Sequence, residues 1–175
     1  MGYRVEKMID EETIRNRIRE LGKTITEDYR GKELLIVGIL KGSMPFTCSL
    51  MWEIDNDKMS VDFMCVSSYG SETESSGIVR ILKDLDESIE GKNVLIVEDI
   101  IDTGRTMYKL LELMKTRNPK SIKVCTLLDK PSRREVEVKI DYIGFQIENK
   151  FVAGFGLDYD QYMRQLKYIG EVIFD

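Results

Sequence analysis

Apolar residues fall along this chain in two rhythms. Within residues 10–30, Ile14, Ile18, Leu21 and Ile25 recur at helical spacing with charged positions between them, which predicts an amphipathic helix. Asp10 reads as its N-cap, Glu11 and Glu12 suit the first turn, and Gly31 reads as the stop. The run Leu34–Leu40 is apolar without interruption, as expected of a parallel strand covered on both faces. Lys41-Gly42-Ser43 then forms a tight turn. Met44-Pro45 opens a second helix, because proline suits the first helical position, and Phe46, Leu50, Met51 and Ile54 supply its buried side.

The same alternation continues. Residues 61–66 read as a strand, 67–77 as a polar, serine-rich loop with Tyr69 in it, and 79–82 as a return strand. Residues 94–97 form a further strand. Met107, Leu110, Leu111 and Met114 recur at helical spacing up to a stop near Pro119, and 122–128 and 142–147 complete the strands. Alternating strands and helices predict an α/β fold: a doubly wound, mostly parallel sheet flanked by helices, in a single domain. Ligands of such sheets bind outside the carboxyl ends of the strands. Lys41, Glu98, Asp99, Asp102 and Lys130 all follow apolar strands within a few residues and should gather on one edge.

The most informative stretch runs from Val94 to Met107. Four apolar residues lead into adjacent acids, Glu98 and Asp99. A third acid, Asp102, follows, then the hydroxyl-bearing turn Thr103-Gly104-Arg105-Thr106, then a helix. A helix start offers unpaired N–H donors and a positive dipole end, a natural phosphate cradle. Carboxylates beside it would repel phosphate unless they face another part of the ligand, such as sugar hydroxyls or a metal ion. A phosphorylated sugar satisfies both halves.

Composition narrows the chemistry. The chain has 175 residues, 42% hydrophobic and 33% charged, with a net charge of −5 that argues against a nucleic-acid footprint. Histidine is absent, which excludes Ser-His and Cys-His nucleophilic schemes and leaves proton transfer to a carboxylate, Lys, Tyr or Cys. The three cysteines, Cys48, Cys65 and Cys125, read as reduced thiols of a cytosolic protein. No apolar run approaches the ~20 residues of a membrane span, and the first residues lack the apolar core of a secretory signal, so a cytoplasmic location is expected. No G-x-G-x-x-G follows a strand and no G-x-x-x-x-G-K-[ST] occurs, which disfavours a Rossmann dehydrogenase and a P-loop NTPase.

The stretch Glu98-Asp99-Ile100-Ile101-Asp102-Thr103-Gly104-Arg105-Thr106-Met107 resembles the phosphoribosyl-diphosphate signature of the type I phosphoribosyltransferases, in the form of the hypoxanthine-guanine branch. The resemblance extends through Ile39-Leu40-Lys41-Gly42, Ser67-Ser68-Tyr69-Gly70, Leu127-Leu128-Asp129-Lys130 and Lys150-Phe151-Val152-Ala153-Gly154-Phe155-Gly156-Leu157-Asp158-Tyr159. It implies purine salvage: transfer of the 5-phosphoribosyl group from phosphoribosyl diphosphate to hypoxanthine or guanine, with Mg2+ as cofactor and diphosphate released. It also implies a core of about residues 13–148 under a small hood made from 1–12 and 149–175.

By the same resemblance, Asp102 is the general base. Glu98, Asp99, Asp102, Thr103, Gly104, Arg105 and Thr106 hold the ribose and its 5-phosphate, and Lys41, Gly42, Ser68, Tyr69 and Arg164 face the diphosphate. Lys130, Phe151, Val152 and Asp158 recognise the purine, with Glu98, Asp99 and Asp158 around the metal. Ser68-Tyr69 begins a loop that closes over the centre, and the Lys41-Gly42 peptide bond is often cis in such proteins. Members are dimers or tetramers, so a homodimer or homotetramer is expected. Two departures stand out: the chain is short for the family, and Arg105 stands where other members carry Lys. A transferase preferring xanthine or guanine, and a regulatory nucleotide-sensing module on the same fold, remain open alternatives, although Asp102, Lys41 and Lys130 are all present.

Overall fold

A computed structural model describes residues 2–68 and 79–174, with Ser68 and Val79 described by their backbone alone. Strand β1 (Tyr3–Ile9) leads into helix α1 (Glu11–Asp28), whose N-cap Asp10 accepts a hydrogen bond from the Thr13 backbone N–H. Then come β2 (Leu34–Leu40), α2 (Met44–Trp52), β3 (Met59–Ser68), β4 (Val79–Lys83), β5 (Asn93–Ile101), α3 (Arg105–Lys115), β6 (Ser121–Asp129), a 3-10 turn at Pro131–Arg133, β7 (Tyr142–Gln146), β8 (Val152–Ala153) and β9 (Ile169–Phe174). The serine-rich segment expected to hold the mobile loop, from Tyr69 to Ser76, lies outside the described residues, as does any role of the Ser68 side chain.

The six-stranded sheet has the order β4-β3-β2-β5-β6-β7. Every pairing in it is parallel except β3–β4, which forms the antiparallel edge. Alternation within the continuous apolar strands fills both faces. Leu34, Ile36, Leu95 and Val97 pack under α1 and α2 with Ile14, Ile18, Phe46 and Leu50. Leu35, Val37, Val94 and Ile96 pack on the other face with Met107, Leu110 and Met114 of α3. This is the two-sided burial that an all-apolar parallel strand demands.

The patterning placed the end of the central strand at Val97, but β5 runs on through the two acids. Its parallel pairing with β6 continues at Glu98 opposite Thr126 and Ile101 opposite Asp129, so the carboxylates stand on the ladder itself. The two terminal segments, to which the patterning assigned no strand, form a separate three-stranded antiparallel sheet of order β1-β9-β8. Strand β1 is mostly exposed and pairs with β9 from the far end of the chain, and β8 is two residues long, so no local rhythm announces them. All three cysteines are free, and Cys125 is fully buried in the core.

Candidate active site

Three of the carboxyl ends of the parallel strands lead into the site: Lys41 follows β2, Asp102 follows β5 and Lys130 follows β6. Beyond β5 the chain turns at Gly104, whose φ of +84° is open to glycine, and enters α3 with no side chain at the N-cap position to bond its first turn. The start of α3 borders a cavity of about 120 Å³ lined by Glu98, Asp102, Thr103, Gly104 and Thr106, among others. A cradle of hydroxyls and helix-start donors of that size suits one phosphate group. Arg105 contributes its backbone N–H to this turn, 3.4 Å from Thr103 Oγ1, while its guanidinium reaches away to Glu135 at 2.5 Å.

Glu98 and Asp99 are neighbours on the ladder, and the Asp99 N–H donates to Glu98 Oε1. Burial, and then the charge of Asp99 beside it, push the Glu98 carboxyl well above the ordinary range; burial raises Asp99 too. A pair of half-buried like charges side by side is a site that a divalent cation or hydroxyl donors would stabilise. Asp158 does not join them. Its carboxylate pairs with Arg164 at 2.7 Å and accepts from the Gln161 N–H, and no group of three or more acids, cysteines or histidines fit to hold a metal ion occurs among the described residues. Glu98 and Asp99 thus adjoin one another, while Asp158 is held by Arg164.

Lys41 and Arg164 converge on one side chain: Lys41 Nζ lies 3.5 Å and Arg164 Nη2 3.3 Å from Gln161 Oε1. The cis peptide of the turn is Leu40–Lys41, one bond earlier than the expected Lys41–Gly42. Gly42 has another constraint, since a Cβ there would overlap the Asp99 carboxylate. Opposite, Lys130 is 93% hidden, which is unusual for a lysine, and its Nζ lies 3.8 Å from Asp102 Oδ2. Phe151 precedes β8 with half its surface exposed, and its carbonyl accepts from the Val172 N–H. Val152 is buried in β8 opposite Glu171.

Residues that the sequence reading passed over complete the frame. Arg133 Nε lies 3.3 Å from Asp102 Oδ1, the carboxylate oxygen other than the one nearest Lys130. Arg134 forms a buried ion pair with Asp129. The Glu135 and Val136 N–H groups both donate to the Thr103 carbonyl, and the Lys130 N–H donates to the Ile101 carbonyl. The segment bearing Lys130 is thus stitched to the phosphate turn. The run Lys130-Pro131-Ser132-Arg133-Arg134-Glu135, charged and placed directly after a strand, was the available signal.

The model of the phosphoribosyl transferase domain matches residues 6–160. Hypoxanthine phosphoribosyltransferase of Escherichia coli strain K12 is 53% identical over 175 residues, covering 99% of this chain and 98% of that protein. Hypoxanthine-guanine phosphoribosyltransferase of Bacillus subtilis strain 168 is 49% identical over 171 residues, with 97% and 94% covered. The crystal structure of a hypoxanthine phosphoribosyltransferase from Staphylococcus aureus superposes with a TM-score of 0.92 at 49% identity, covering 96% of this chain and 91% of that one.

Proposed function

The chain belongs to the phosphoribosyl transferase family and is a purine-salvage enzyme, and we propose that it transfers the 5-phosphoribosyl group of phosphoribosyl diphosphate to hypoxanthine or guanine through the residues gathered at this strand edge. The observation that carries the reading is the meeting of an acid and a buried cation, Asp102 and Lys130, at the rim of a phosphate-sized cavity.

In this reading the α3 start, Thr103 and Thr106 hold the 5-phosphate. Glu98 and Asp99 accept from the ribose hydroxyls and, through water, would hold Mg2+, which uses few carboxylates and keeps several waters. When bound, the ion supplies neutralisation of the diphosphate leaving group. Lys41, Gly42 and Arg164 face that diphosphate, an Arg fork being suited to its oxygens. Asp158 acts beside them by holding Arg164, and helps to frame the base. Lys130 donates to the 6-oxo group, Phe151 stacks on the base and the Val152 carbonyl accepts from its edge. A 6-amino purine would set donor against donor at Lys130 and be rejected.

During transfer the bond between ribose C1 and the diphosphate oxygen breaks and a bond from C1 to a purine ring nitrogen forms. Asp102, while ionised, stabilises the oxocarbenium-like ribose, and it takes the ring-nitrogen proton of the purine as the new bond forms. The terminal segments, 1–12 and 149–175, form the hood over the base, and a homodimer or homotetramer is the expected assembly. No helix among the described residues is long and apolar enough to cross a membrane.

Diphosphate release measured with hypoxanthine, guanine, xanthine and adenine, for the wild type and Asp102→Asn, tests the assignment. Turnover with 6-oxopurines but not adenine, strongly reduced in the variant, supports it. Tight phosphoribosyl diphosphate binding without turnover on any base would instead favour a nucleotide-sensing module.

A further inference from the structure

Four aromatic rings meet at one corner of the three-stranded sheet. Tyr3 of β1 and Phe174 of β9 are cross-strand partners, at the two ends of the chain. Tyr159 packs edge-on against both, with ring centroids 5.0 Å and 5.5 Å away. Phe151 completes the group, 5.7 Å from Tyr159 at 88° and 6.0 Å from Phe174 at 61°. The register explains the meeting. Phe151 bonds to β9 at Val172, and Phe174, two residues further, returns to the same face of that strand.

A phenylalanine at a strand end, 49% exposed, is not held in one orientation by burial alone. The torsion that sets its ring plane is broad and responds to whatever touches the ring. Two edge-to-face neighbours define that plane, because the positive edge of one ring seeks the negative face of the next. None of Tyr3, Tyr159 and Phe174 lines the phosphate cavity, so the group has no evident business with the ribose or the diphosphate.

We infer that Tyr3, Tyr159 and Phe174 form an aromatic bracket that presets the plane of Phe151 for stacking on the purine, which makes them positioning residues for the base. The inference rests on the reading of Phe151 as the stacking ring. A preset ring spares the base the cost of ordering it on binding, so the bracket acts on affinity for the purine and not on the chemical step. It also gives β1 and β9 a part in base recognition, exerted through Phe151.

Steady-state kinetics of Phe174→Leu and Tyr3→Leu, with hypoxanthine and phosphoribosyl diphosphate varied separately, test this. Loss of a ring contact should raise the hypoxanthine KM about three- to ten-fold, with kcat and the phosphoribosyl diphosphate KM within about two-fold of wild type. Phe174→Tyr and Tyr3→Phe, which keep a ring, should restore the hypoxanthine KM. An unchanged hypoxanthine KM in both leucine variants overturns the bracket. So does a parallel rise in both KM values, which would mark general damage to the sheet. Phe151→Leu separates the two ideas: if it leaves the hypoxanthine KM unmoved, the stacking reading itself fails, whereas a rise there with silent Phe174→Leu and Tyr3→Leu removes the bracket alone.

Discussion

Gly42 lies so close to Asp99 that any side chain at position 42 would overlap the carboxylate, bringing a Cβ to 2.7 Å from Asp99 Cγ. The turn after β2 and the acid on β5 are therefore fitted to one another with no spare volume. Gly42→Ala should displace Asp99 and cut kcat/KM by about 100-fold, as a misplaced site commonly does. The fold should survive, since Asp99 is only half-buried and can shift. Kinetics and a thermal melt on one preparation separate the two effects: a variant with wild-type turnover would show that the contact is incidental.

Asp129 and Arg134 pose a different question, of stability. Asp129 is 97% hidden, and its partners are Arg134 and, more distantly, Gln146 at 3.4 Å. Arg134→Met would leave a buried carboxylate without its cation, at a cost of about 3 kcal/mol. The double variant with Asp129→Asn should recover most of that loss, because no uncompensated charge remains. Urea unfolding of the two variants checks it, and equal destabilisation in both would count against the buried-charge account.

How far the sequence discloses this site depends on whether a residue's partner is local. Leu34–Leu40 and Val94–Val97 announce buried parallel strands, because two-sided burial writes itself into consecutive residues, and the observed β2 has those same bounds. The phosphate turn is legible for the same reason: strand, acids, hydroxyls and helix start follow in order. The pairing of Asp158 with Arg164 is not, because it forms across the positive-φ turns at Asp160, Gln161 and Met163. The cis bond at Leu40–Lys41 carries no sequence mark, as neither residue is proline. Strands β1 and β9 pair Tyr3 with Phe174, and no short-range pattern encodes a partner 171 residues away.

Lys130 is the residue on which base selectivity turns in the proposed mechanism. Its ammonium is nearly buried and 3.8 Å from Asp102. Lys130→Met keeps the volume and removes the donor, so the 6-oxo group would be left unpaired. A loss of about 10- to 100-fold in kcat/KM for hypoxanthine is expected, with discrimination against adenine reduced. Competition assays with the two bases read both quantities. Retained discrimination would move base recognition elsewhere.

Arg117 and Asp84 supply a pH-dependent contribution far from the chemistry. The guanidinium grips the carboxylate through two bonds, 2.7 Å and 2.8 Å, tying the end of α3 to the segment after β4. Those bonds hold the Asp84 carboxyl below its ordinary value of 3.8. A carboxyl whose pKa is lower in the folded chain stabilises it in full above the unfolded value, and that stabilisation fades as pH falls through the folded one. The Asp84 side chain is 47% exposed, so solvent screening limits the pair to about 0.5–1 kcal/mol. Asp84→Asn should therefore be less stable than wild type by that amount near pH 7, and the gap should close toward pH 2. Urea unfolding at both pH values measures it. A gap that stays constant across the range would show that the ion pair contributes through packing and not through charge.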